Sequence, residues 1–250
     1  MDDEDNGFRP GGLFHLSTTT ATSYSSFLLD YGTNSGRGTM SHALTLYRHG
    51  SGALVFSAAT YDWSWGLDSS HDLRKLGSQT DVNMQQATVN LLADMGVQPG
   101  ALQPGLVRAD ASTDTAAPVS RIDSVSPDSG LEVGLPVTIH GSAIDTGGGV
   151  VAGIEVSTDF GTNWHPAQGR ENWTYTWTPT FAGTTVVLSR AVDDSGNLEV
   201  PATAVTVGNV ARWRNRIPWS IWMLVLVSAG GAGLWLLMKT PFISKRFRRP

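Results

Sequence analysis

Apolar and polar positions follow three different patterns along this chain. From residue 119 to 208, short β-favouring runs recur at intervals of about ten residues: SRIDSV, LPVTIHG, VAGIEVS, NWHPAQ, NWTYTWT, TTVVLSRAVD and EVPATAVTV, with Gly, Asp, Asn and Pro between them. Seven such runs with turn signals at that spacing predict a seven-stranded immunoglobulin-like β-sandwich over 119–208. Two reversals are explicit, because Asp159-Phe160-Gly161-Thr162 and Asp193-Asp194-Ser195-Gly196-Asn197 hold residues that tolerate positive φ. In NWTYTWT the alternation sets Trp173, Tyr175 and Trp177 on one face, where they are expected to fill the core. The same aromatics with Trp164 form the competing reading, a platform that stacks on sugars.

Ahead of that region the period changes. Strands are predicted over 43–47 and 53–58, joined by the His49-Gly50-Ser51-Gly52 turn. A helix is predicted over 82–95, with Met84, Ala87, Val89, Leu91, Leu92 and Met95 at its apolar positions. Asp81 suits its N-cap and Gly96 the position just past its end. Strand, loop and helix read together as the closing unit of a small α/β domain over 1–108. A stretch rich in Ala, Asp, Ser and Thr, 109–118, separates it from the sandwich as a linker.

The third pattern has no period. Residues 217–238, IPWSIWMLVLVSAGGAGLWLLM, carry no charge, and at about 1.5 Å per residue they match a hydrocarbon core about 30 Å thick. A single transmembrane helix is predicted there, followed by a basic tail over 239–250. Trp219, Trp222 and Trp235 sit near its ends, where indoles favour the headgroup layer, and Ala229, Gly230 and Gly233 supply small residues for close helix packing.

Charge gives that helix a direction. None of the 22 acidic residues lies beyond residue 211, whereas eight of the 17 basic ones do, so the net charge of −5 hides a strongly acidic front and a basic end. Arg212, Arg214 and Arg216 precede the span; Lys239, Lys245, Arg246, Arg248 and Arg249 follow it. The excess favours a cytoplasmic C-terminus and places the front outside the cytoplasm, a single-pass inner-membrane protein with periplasmic domains. The opening MDDEDNGFRP has neither a basic nor an apolar export region, so the expectation is a processed product or a true start upstream, with a tail-anchored protein facing the cytoplasm as the third option. The acidic front repels phosphate backbones, which excludes nucleic acid as its partner. No cysteine is present, which excludes disulfides, thiolate metal sites and cysteine nucleophiles.

Candidate chemistry is sparse. His42, His49, His71 and Asp72, with Asp62 and Asp68 near the last two, form the one cluster to test, and their spacing fits no strong metal motif. Gly147-Gly148-Gly149 precedes a strand instead of opening a helix, so it reads as a turn and not a phosphate loop. No cofactor or metal is expected.

Two resemblances follow from these residues. NGFRPGGLFHLSTTT, HALTLYRHGSGALVFSAATYDWSWGLD and MQQATVNLLADMGVQP are similar to the C-terminal part of the N,N-dimethylformamidase large-subunit family. VAGIEVSTDFGTNWHPAQGRENWTYTWTP followed by SRAVDDSGN resembles bacterial Ig-like modules and the dimerisation domain of sulfite-oxidase-type molybdenum enzymes. The resemblances imply an enzyme's end and its appendage without the iron-binding or molybdopterin-binding core. The expected function is a non-catalytic accessory subunit, held in the bilayer by one helix, that stabilises or scaffolds a larger membrane complex such as a respiratory or photosynthetic assembly. The alternatives are a reduced amidohydrolase using His71 and Asp72, and a surface module that binds carbohydrate or another ligand.

Overall fold

The computed structural model describes residues 5, 8–29, 33–70, 79–125, 131–200 and 202–210. The predicted span 217–238, its flanking arginines, its packing residues and the tail from Lys239 to Arg249 lie outside the described residues, as do His71 and Asp72. Among the described residues no helix is long and apolar enough to cross a membrane.

The chain is mostly β-sheet. Strands β4 (Val119–Val125), β6 (Val137–Ile144), β10 (Asn172–Trp177) and β9 (Gln168–Gly169) form one sheet in the order β4-β6-β10-β9. Strands β5 (Leu131–Glu132), β12 (Thr203–Val210), β11 (Gly183–Asp193), β7 (Val151–Ser157) and β8 (His165–Pro166) form the second, in the order β5-β12-β11-β7-β8. Two mainly antiparallel sheets, between which the chain crosses at each step from β4 to β7 and again at β8–β9 and β10–β11, define an Ig-like β-sandwich.

The run NWHPAQ does not make one strand. It splits at Ala167 into β8, paired with β7, and β9, paired with β10, so the chain changes sheet within four residues. Leu131 and Glu132 add a short strand parallel to the end of β12.

Alternation explains the core. Ile139 from β6, Ile154 and Val156 from β7, Val187 and Ala191 from β11, and Trp173 from β10 meet between the sheets, and Trp173 is 1% exposed. Its indole Nε1 donates to the Ser142 carbonyl at 3.2 Å, which satisfies the one polar atom it buries. A Cβ at Gly141 would fall about 2.1 Å from that ring, so glycine here makes room for the tryptophan. Tyr175 and Trp177 are partly buried against the same cluster, as the alternation predicts.

Preceding the sandwich, β1 (Phe14–Leu29), β2 (Asn34–Arg48) and β3 (Leu54–Ser57) form an antiparallel sheet in chain order. The strand predicted over 43–47 is the end of a longer one. The base of this sheet has a core: Phe14 and Leu46 pack with Ala152 of β7 and Val192 of β11. Residues 16–22 are exposed, and hydroxyls pair across the ribbon, Thr20 with Ser41 at 3.3 Å and Thr22 with Thr39 at 3.0 Å.

Helix α1 (Val82–Asp94) forms where its period predicts. Asp81 Oδ1 accepts the amides of Asn83 and Met84, and Gly96, at φ +78°, donates to Ala93 while Val97 donates to Leu92. Those last two bonds close the helix in the left-handed geometry that glycine adopts readily. Ahead of it, Tyr61–Gly66 make a 3-10 turn whose Trp63 donates to the Thr88 hydroxyl at 3.3 Å.

Candidate functional site

Three polar constellations merit attention, and they differ in what holds them. The histidines singled out from sequence serve the local backbone. His42 Nε2 donates to the Ala58 carbonyl at 2.7 Å. His49 Nδ1 accepts the Ser51 amide at 3.2 Å and lies 2.9 Å from its hydroxyl, inside a turn closed by Gly52 at φ +89°. The two side chains are thus engaged separately.

The second constellation lies on two loops and the last residue of β11. Asp114, Asp145 and Asp193 each offer a carboxylate oxygen within 4.8 Å of the others, a spacing compatible with a divalent cation. Backbone amides already occupy much of their capacity: Asp114 accepts from Ala116 and Gly149, Asp145 from Gly147, and Asp193 from Ser195 and Asn197. A Cβ at Gly147 would meet Asp114 Oδ1 at 2.1 Å, so the glycine run lets carboxylates close on its backbone. Burial raises the Asp193 carboxyl above its ordinary range; the hydrogen bonds from Asn197 and Ser195 oppose this, and the charge of Asp114 adds to it.

The third constellation is internal and was not legible as a site. Glu155, 1% exposed, faces away from the sandwich core on β7, opposite Arg190 of β11 in the strand register. Its Oε2 accepts Arg190 Nε at 2.7 Å and lies 2.7 Å from the second guanidinium nitrogen. The Gly12 amide donates to both carboxylate oxygens at 3.2 Å, and Arg9 Nε stands 3.6 Å from Oε1. The outer face of the second sheet is therefore covered by residues 9–14, with a buried carboxylate as the joint. Arg190 also lies over the Trp164 ring, 3.9 Å from its centroid.

Of the aromatics read as a sugar platform, Trp173 is in the core, and Trp164 turns one face to Arg190. The sequence signal for the Glu155 joint was a lone acid inside the apolar run VAGIEVS and a lone base inside VVLSRAV, which the register pairs. Arg48 ties the same regions a second time, through Nε and a terminal nitrogen to the Ser195 carbonyl at 3.2 and 2.8 Å.

No family model matches the chain, and no curated protein matches it. Among solved structures it is similar to the fibronectin(III)-like modules of Clostridium thermocellum CbhA, with 11% identity over 78% of this chain and 86% of that one at a TM-score of 0.34. It is similar also to the PKD domain of an M14-like peptidase from a Thermoplasmatales archaeon, with 17% identity over 38% and 96% at 0.31. A third similarity is to a CARDB domain from Pyrococcus furiosus in complex with di-metal ions, with 17% identity over 40% and 95% at 0.26. The Ig-like assignment rests on this chain's own strand pairing.

Proposed function

We propose that this chain is a non-catalytic accessory subunit whose β-rich front is carried outside the cytoplasm on one transmembrane helix and scaffolds a larger membrane complex. The observation that carries the reading is the fixed base of the β1–β2 ribbon. Phe14 and Leu46 share a core with Ala152 and Val192, and Glu155 bonds the chain just before β1 to the sandwich. A two-stranded ribbon is marginal in water by itself, so anchoring its base presents a long polar edge without requiring the ribbon to be stable alone. The hydroxyl-rich surface of residues 16–22 suits a polar protein partner better than lipid.

The sequence of 217–238 supplies the stem, and the resemblance to the end of dimethylformamidase supports descent from an enzyme that has kept its C-terminal part. The partner class is an integral membrane assembly of the respiratory or photosynthetic kind. Solubilisation of native membranes in mild detergent tests this: the chain is expected to co-purify with integral subunits in fixed ratio. Replacing Thr20 and Thr22 by Arg is expected to release them while leaving the thermal transition unchanged. Recovery of the wild-type chain with no stoichiometric partner overturns the reading.

A further inference from the structure

Beside the Glu155 joint lies a cleft of about 160 Å³ between the start of β1 and the β7–β9 edge. It is lined by Arg9 and Arg170 together with the apolar groups of Phe14, Ile154 and Pro166. Among the described residues no carboxylate lines it.

The cations are incompletely matched. Glu155 is one negative charge shared by Arg9 and Arg190, and Arg190 takes Oε2 at 2.7 Å while the Gly12 amide spans both oxygens. Arg9 Nε is consequently left 3.6 Å from Oε1 without a hydrogen bond, while a terminal nitrogen of the same guanidinium donates to the Leu13 carbonyl at 2.7 Å. Two guanidiniums against the one carboxylate of Glu155 leave an excess of positive charge on the Arg9 side of the joint. Arg170 on the far side of the same cleft is exposed and adds a second positive group.

We propose that this cleft binds a small organic carboxylate, its anionic end between the guanidiniums of Arg9 and Arg170 and its short apolar body against Phe14, Ile154 and Pro166. Guanidinium matches carboxylate geometry, and a volume near 160 Å³ admits an acid of a few carbons and excludes larger ligands. The inference is independent of the scaffold reading, since a scaffold subunit and a ligand sensor both tolerate it.

The test uses the full chain in mild detergent and sodium butyrate as the probe, followed by saturation-transfer NMR. Saturable binding is expected with Kd on the order of 1 mM, as suits so small a ligand. Butyramide, the uncharged analogue, and inorganic phosphate, an anion without the apolar body, are each expected to bind at least about tenfold more weakly. Arg170→Glu, at an exposed position, is expected to lose about tenfold in affinity with an unchanged thermal transition, while Arg121→Glu, exposed elsewhere, keeps wild-type binding. No saturable binding, equal binding of butyramide, tighter binding of phosphate, or wild-type affinity in Arg170→Glu each overturns the proposal. An equal loss in Arg121→Glu does so as well, by showing that only net charge matters.

Discussion

The turns at 159–163 and 193–197 are built on one hydrogen-bond frame and titrate in opposite directions. In each, an aspartate Oδ1 accepts the amide of an asparagine four residues on, at 2.9 Å from Asn163 and 2.7 Å from Asn197. In each, that asparagine's side-chain nitrogen donates to Oδ2, at 2.7 Å for Asp159 and 2.8 Å for Asp193. Both also close through the i to i+3 backbone bond, Thr162 to Asp159 and Gly196 to Asp193. What differs is the setting. Asp159 is partly exposed, whereas Asp193 is 0% exposed and has Asp114 beside it. Burial is the largest influence on both carboxyls and pushes each upward. At Asp159 the hydrogen bonds from Asn163, Ser157 and Thr162 together outweigh it, and at Asp193 they do not. A shared local motif thus does not fix an acid's chemistry; the dielectric and the neighbouring charge decide it.

The comparison can be broken most sharply by removing the acids. Asp193→Ala leaves the Ser195 and Asn197 amides without their acceptor at a buried site and takes one of two acceptors from the Asn197 side chain, which keeps the Asp114 carbonyl, and a loss of about 3 kcal/mol is expected from unmet buried donors. Asp159→Ala frees the Asn163 amide and side chain, which water can reach, and one buried donor, the Ser157 hydroxyl, so a smaller loss of about 1 to 2 kcal/mol is expected there. Urea unfolding of the two variants measures both, and equal losses would show that burial does not separate the turns.

The left-handed positions give a smaller contrast of opposite sign. At the second turn Gly196 takes φ +80°, and a Cβ there would stand 3.0 Å from that of Arg48, whose guanidinium bonds the adjoining carbonyl of Ser195. Gly196→Ala is expected to cost about 1 to 2 kcal/mol, from the backbone conformation and from loosening that tie. At the first turn a bulky Phe160, 67% exposed, occupies φ +62°. Phe160→Gly relieves the strain but frees the unfolded chain, so its net gain is expected to stay within about 1 kcal/mol. Thermal unfolding midpoints check both, and a destabilised Phe160→Gly would reveal a contact of the ring that outweighs the strain.

Both turns were legible because Asp, Asn and Gly at fixed offsets carry their own geometry. So was α1, whose Asp81 and Gly96 caps bracket an apolar period, and so was Trp173, alternating within an aromatic run. Strand β1 was not, since STTTATSYSS has no apolar face from which to read a period, and only the pairing with β2 shows it to be a strand. NWHPAQ hid its change of sheet because two-residue strands are set by tertiary pairing at Ala167 and not by pattern. The sequence drew attention to His42 and His49, which bind local backbone atoms. The Glu155 joint brings residues 9 and 12 against 155 and 190, distances along the chain that no local signal spans.

The smallest expected effect isolates neighbouring charge from burial. Asp193 carries a raised carboxyl, so its contribution to stability is fully present below the ordinary value of 3.8 and is lost as pH rises through its folded value. Asp159 carries a lowered one, so its contribution is present above 3.8 and is lost as pH falls through its folded value. The two act with opposite slopes on opposite sides of 3.8, meeting only near it, and a global acid-unfolding curve, which sums every carboxyl of the protein, cannot assign a slope to either residue. Carboxyl carbon NMR titration of each residue can. Asp114→Asn removes one of the influences that raise Asp193 while leaving its burial in place, so the Asp193 midpoint is expected to move down and the Asp159 midpoint to stay put. Because burial is the larger cause, Asp193 is expected to remain above Asp159 in the variant. If instead the two midpoints converge, the charge of Asp114 and not the buried setting is what divides these otherwise matching turns.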